Sequence, residues 1–142
     1  DLNYAQEHLY IFSALYGLLK PFHPISLYRL DLLTKLELNL IKIWRPIITQ
    51  YFNTLNQPLV NLASQEFTNL IDLDTLQVPI YHVQFLNKDH KVISAQAKKA
   101  RGAYARALLQ SKHFNLKEIE IEDYHFSHQL DNTYIFINNK ID

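Results

Sequence analysis

The densest chemistry in this 142-residue chain is a run of cations. Lys88, Lys91, Lys98, Lys99, Arg101, Arg106, Lys112 and Lys117 share their stretch with a single acid, Asp89. Glu118, Glu120, Glu122, Asp123 and Asp131 follow, with no basic residue among them. Such segregation sets a positive region beside a negative one, and phosphate is the natural ligand of the first. Lys98 and Arg101 are spaced to share one face of a helix, and Lys99 and Arg106 to share another. Lysines near a helix start add to the free N–H groups and the dipole that favour an anion there. Gly102 is costly inside a helix unless something packs closely against it, and Ala97, Ala100, Ala103 and Ala105 extend that small surface. The plainer alternative is a solvated helix face whose lysines do nothing specific.

Other constellations are thinner. If residues 28–32 form a strand, Arg29 and Asp31 project on one side. With Glu66 and the Lys98–Arg101 cluster they can line a polar cleft, or they can pair internally and fix a sheet. Ser64 lacks the Gly-x-Ser-x-Gly elbow of a nucleophile and suits a helix N-cap. Glu122 and His125 have the spacing used in di-iron bundles, but such sites need two pairs on facing helices and two further glutamates. No metal site is therefore expected. His8, His23, His82, His90 and His113 are scattered, which suits surface or half-buried positions. The alternating pairs Tyr124/Phe126 and Tyr134/Phe136 suit the core face of a sheet better than base stacking.

Composition narrows the classes. Apolar residues are 48% and charged residues 20%, ordinary globular values that argue against disorder. Net charge is zero, which excludes a globally basic nucleic-acid binder but not a local patch. Without cysteine there are no disulfides, thiolate metal sites or cysteine nucleophiles. Apolar runs such as Leu30–Leu33, broken by Asp31, are too short to span a bilayer, and no signal-peptide pattern opens the chain. The cytoplasm is the expected compartment. There is no methionine, and the chain starts at Asp1-Leu2-Asn3-Tyr4 already entering a helix, so it reads as a fragment.

The elements that must position these residues follow from periodicity. Asn3 and Gln6 resemble a capping box for a helix over 4–11. Turns punctuate 13–24. Trp44, Ile47, Ile48, Tyr51, Phe52 and Leu55 form one helical stripe within 39–55, with Pro46 either starting or kinking the helix. Strands are expected at 59–62, 78–86 and 91–96, the last two joined as a hairpin by the turn 87–90. Ser64 opens a brief helix through Ile71. The clearest helix covers 97–112, and a second strand pair lies at 120–126 and 133–138. Intermixed helices and antiparallel hairpins make the fold class α+β in a single domain.

Several strings resemble the YaaA peroxide-stress family when taken together and in order. They are Ser13-Ala14-Leu15-Tyr16-Gly17-Leu18-Leu19-Lys20-Pro21, Tyr28-Arg29-Leu30-Asp31, Trp44, Val60-Asn61-Leu62-Ala63-Ser64-Gln65-Glu66-Phe67 and Ala97-Lys98-Lys99-Ala100-Arg101-Gly102. Relatives usually carry Gly at Ala14, Arg at Lys20, Pro at Leu27 and Glu at Asp31. The resemblance implies a bacterial cytoplasmic protein that protects against hydrogen peroxide by limiting free iron. It also implies DNA binding through a positive cleft and a helix-hairpin-helix, the latter within an N-terminal portion that precedes this region.

The expected nucleic-acid or phosphate contacts are Lys98, Lys99, Arg101 and Arg106, and the candidate cleft comprises Lys20, Arg29, Asp31 and Glu66. The expected partner is DNA, bound weakly and without sequence preference, with no membrane contact and no cofactor. No residue is assigned a catalytic role. Two alternatives stand: an enzyme whose Arg29, Asp31, Glu66, Lys98, Lys99 and Arg101 hold a phosphorylated or nucleotide-like molecule, and an inactive remnant.

Overall fold

The computed structural model describes residues 1–33 and 39–140. These fall into two compact units, Asp1–Pro58 with Ala63–Pro79, and Leu59–Leu62 with the chain from Ile80 onward. The fold is α+β, mixing helices with antiparallel hairpins.

In the first unit, α1 (Leu2–His8) starts earlier than expected because Asp1 is its cap. The Asp1 carboxylate accepts from the Asn3 and Tyr4 amides at 3.0 and 3.2 Å, where a charge also favours the dipole. Asn3 and Gln6 form no capping box; the Gln6 side chain accepts from the Phe22 amide at 2.8 Å instead. The helix stops short of Ile11 because Ile11–Ser13 (β1) pairs antiparallel with Gly17–Leu19 (β2). The hairpin turn is closed by Ser13 Oγ, which accepts from the Tyr16 amide at 3.0 Å, and by Gly17 at φ +78°.

α2 (Leu40–Leu55) is capped by Asn39, whose side-chain oxygen accepts from the Lys42 amide at 3.1 Å. It runs through Pro46 rather than starting near Arg45. Its inward line is Ile48, Thr49 and Phe52, whereas Ile47 and Tyr51 are 55% and 41% exposed, so the buried stripe is narrower than the apolar one. Trp44 Nε1 donates to the Ala14 carbonyl at 2.9 Å. A Cβ added at Gly17 would lie 2.7 Å from that indole, so only glycine admits the ring. α3 (Gln65–Thr68) ends before Ile71; Ser64 precedes it but contributes its carbonyl, not its hydroxyl, as acceptor for Thr68. Residues 28–32 are not a strand: Tyr28 is held by its hydroxyl against Ser13 Oγ, and among the described residues no ladder partner reaches the segment.

The second unit is a four-stranded sheet in the order β3 (Leu59–Asn61), β4 (Ile80–Leu86), β6 (Thr133–Asn138), β5 (Tyr124–Leu130). β4 runs parallel to both β3 and β6, and β5 closes antiparallel on β6 with a bulge between Phe126 and His128. The turn at 87–90 exists, with the Asn87 side chain accepting from the Asp89 and Lys91 amides, both at 2.9 Å. It leads into α4 (Ser94–Ser111), not into a strand at 91–96. Both edges of β4 are already occupied, and Ala95, Gln96 and Ala97 are good helix formers. Ala97, Ala100 and Tyr104 are the buried residues of α4, and Ala100 and Tyr104 join Val83, Phe85, Ile119 and Phe136 in the core. Tyr104 is fully buried, and its hydroxyl donates to the Leu116 carbonyl at 2.8 Å. Tyr124, Phe126 and Tyr134 pack on the same core as Phe136, as the alternation of aromatics requires.

Candidate functional site

The burial of Ala97, Ala100 and Tyr104 fixes which way the rest of α4 faces. At about 100° per residue, Lys99 and Arg106 point away from the sheet, and Lys98 lies on the flank it shares with Arg101. Lys98, Lys99 and Arg106 are exposed, and Arg101 is half-buried. Among the described residues, none of the four has an ion-pair or hydrogen-bond partner on its side chain. Four cations on one helix, without a counter-charge paired to them among the described residues, make a positive surface open to an external anion.

Two further features of α4 bear on that surface. Its N-cap is Ile93, which offers no side-chain acceptor, and its first turn has no acid, so the opening amides retain their capacity for an anion. Gly102 differs from expectation: nothing lies within 4 Å of an added Cβ, so no element packs closely there. The helix shows bare backbone between its exposed basic side chains.

Lys20, Arg29, Asp31 and Glu66 all belong to the first unit, whereas α4 belongs to the second. Lys20 is engaged internally. Its ammonium donates to the Glu7 carbonyl at 2.9 Å, near the end of α1, and sits 3.8 Å from the centre of the Tyr10 ring. There it caps a helix carbonyl and gains a cation–π contact of about 0.5–1 kcal/mol. Arg29 and Asp31 are exposed on an irregular segment, and among the described residues no ion pair joins them. Glu66 is half-buried in the first turn of α3, where a carboxylate favours the dipole. Glu122 precedes β5 and His125 is exposed on it; among the described residues no three His, Asp or Glu side chains gather as a metal ion would need.

One polar pair escaped the sequence reading. Asn61 on β3 and His82 on β4 are register partners, and Asn61 Nδ2 lies 2.9 Å from His82 Nδ1. An amide nitrogen only donates, so Nδ1 is the acceptor and the ring proton sits on Nε2. Burial pushes the His82 pKa down, consistent with a neutral ring. The available signal was a histidine inside a mostly apolar strand; what it lacked was the parallel register that supplies Asn61.

The fold and this surface together define a mixed α+β protein that presents an unneutralised basic helix. The chain belongs to the YaaA peroxide-stress protein family: the family model described as peroxide stress protein YaaA matches residues 1–130. It is 40% identical over 151 residues to a UPF0246 protein of Rickettsia rickettsii (strain Iowa), across 96% of this chain and 60% of that protein. To a UPF0246 protein of Pseudoalteromonas translucida it is 43% identical, across 89% of this chain and 55% of that one. To one of Francisella philomiragia it is 37% identical, across 92% and 57%. The chain therefore spans at most about three-fifths of the length of these relatives. Among the described residues no helix is long and apolar enough to cross a membrane.

Proposed function

We propose that this chain serves the peroxide-stress response in the cytoplasm as part of a YaaA-type protein that limits free iron, and that the outer face of α4 contacts DNA phosphates. Membership of the family supports the stress role. The observation that carries the DNA reading is the set of Lys98, Lys99, Arg101 and Arg106 on one helix, with no internal partner among the described residues. Binding is weak and independent of sequence, because lysines and arginines on phosphates fix position without reading bases. Of the candidate cleft residues, Lys20 is engaged within the first unit, and Arg29 and Asp31 stay exposed on it.

Fluorescence anisotropy with a labelled duplex over a salt series tests this. Three or four phosphate contacts give a log–log salt slope of about −3, at roughly −0.9 per contact. Changing Lys98, Lys99 and Arg101 together to alanine is expected to flatten the slope while leaving the fold intact, since alanine is the better helix former. Changing Lys88 and Lys91 is expected to do much less. Equal losses from both sets would mean a diffuse field, and no binding at low salt would move the reading to a small phosphorylated ligand.

A further inference from the structure

The first unit carries a shallow, open cleft of about 380 Å³, with Pro46, Gln50, Thr75 and Gln77 exposed at its rim. One wall is a stripe of α2, where Arg45, Thr49 and Asn53 recur every four residues and Gln50 flanks them. The other wall is the loop that carries Asp72 and Gln77. Four hydrogen bonds tie loop to helix. Arg45 Nε donates to the Asn69 carbonyl at 2.6 Å, and the Asp72 amide donates to Thr49 Oγ at 2.9 Å. Asn53 uses both ends of its amide, donating to the Thr75 carbonyl at 3.1 Å and accepting from the Gln77 amide at 2.7 Å. The walls are thus fixed before any ligand arrives, which lowers the ordering cost of binding.

What these ties leave over defines the ligand. Arg45 commits only Nε, so the two terminal nitrogens of its guanidinium still present a planar fork. The Asp72 carboxylate accepts from the Asp74 amide through Oδ1 at 3.1 Å and keeps its second oxygen. Among the described residues no ion pair joins Arg45 to Asp72, although both line the same cavity. The side-chain amides of Gln50 and Gln77 are likewise without an intramolecular partner among the described residues.

A phosphate would meet repulsion from Asp72, and a simple cation would meet it from Arg45. A nucleobase would find no aromatic side chain in the lining on which to stack. An apolar ligand would strand four polar groups. A zwitterion satisfies both charges at once. We infer that this cavity binds a free α-amino acid, with its carboxylate on the Arg45 fork and its ammonium on Asp72. Gln50 and Gln77 meet a polar side chain.

The test is a thermal-shift screen of the full chain against the free L-amino acids at millimolar concentration, followed by calorimetry of any that raise the melting temperature. At least one amino acid with a polar side chain is expected to stabilise the chain by mass action. Its carboxamide, which lacks the carboxylate, and its N-acetyl form, which lacks the ammonium, each bind about tenfold more weakly, the loss of one charged hydrogen bond. Asp72→Asn keeps an oxygen for the Asp74 amide and removes the charge; it is expected to weaken binding about tenfold while the unliganded chain melts as before. Arg45→Lys keeps the charge without the fork and weakens binding likewise. No shift and no heat with any amino acid would overturn the assignment, as would an N-acetyl form or an Asp72→Asn variant that binds undiminished. None of these residues lies on α4, so failure of DNA binding leaves this outcome untouched.

Discussion

The two units both bury apolar side chains but differ in the contacts that accompany that burial. The second is built on an aromatic core, with Tyr104 meeting Phe85 and Phe136 at ring-centre distances of 5.6 and 5.4 Å under a helix that is apolar on one side only. The first buries a largely aliphatic set, Ile48, Phe52 and Leu70 among it, and adds single positional fits: Trp44 against Gly17, Asp1 on the opening amides, Asn53 on two backbone groups. Most of the exposed large apolar side chains among the described residues also lie in the first unit, Phe22, Ile25, Leu27 and Ile47 among them. The string around Gly17 and the Trp44 position meet in a close contact, whereas the Ala97–Gly102 string turns Ala97 and Ala100 inward and Lys98 and Lys99 outward.

The largest effect is expected where the second unit concentrates its burial. Tyr104→Ala removes a fully buried ring and is expected to cost about 3–5 kcal/mol by urea denaturation. Tyr104→Phe keeps the ring and leaves the Leu116 carbonyl without its donor, a loss of about 1 kcal/mol. If the two variants cost the same, the hydrogen bond and not the ring would be the centre of that unit.

The positional fit of the first unit is probed at Gly17. Gly17→Ala puts a Cβ into left-handed backbone, at about 1–2 kcal/mol, and against the Trp44 ring as well. The expected total is about 2 kcal/mol or more. In a Trp44→Ala background the clash disappears and only the backbone cost remains, so the two changes should be clearly non-additive in thermal melts. Additive losses would mean that hairpin and helix do not fix each other.

The contrast also accounts for what was legible in the sequence. α4 and the β5–β6 hairpin could be seen because their patterns are periodic and their burial is one-sided. The strand expected at 91–96 failed because its premise, a free edge on β4, depends on β3 and β6 arriving from far away in the chain. The capping box at Asn3 failed because Asp1 competes more strongly for the same amides and Gln6 has a distant partner in Phe22. The strand expected at 28–32 failed because loose alternation says nothing about a ladder partner. Helical spacing alone gave which cations of α4 share a face; that Lys98, Lys99 and Arg106 are exposed depends on the burial of Ala97, Ala100 and Tyr104 against the sheet. The Arg45–Asp72 cavity did not, because its two walls are joined by bonds from side chains to loop backbone that leave no trace in periodicity.

The smallest expected effect has the opposite sign and sharpens the comparison most. Gly102 and Gly17 are the only glycines in the chain, one in each unit. Gly17 is required by its backbone angle and by the Trp44 ring; Gly102 is helical, and an added Cβ there meets open space. Gly102→Ala should therefore stabilise the chain by about 0.5–1 kcal/mol, the difference between the two residues in an exposed helix interior. Thermal and urea melts of the purified chain measure it. The same variant belongs in the DNA salt series, because its methyl group stands among Lys98, Lys99 and Arg106 without removing a charge. If those long side chains alone reach the phosphates, the slope stays near that of the unaltered chain. If affinity falls while stability rises, the backbone at Gly102 is itself part of the contact, and the glycine is kept for the partner rather than for the fold.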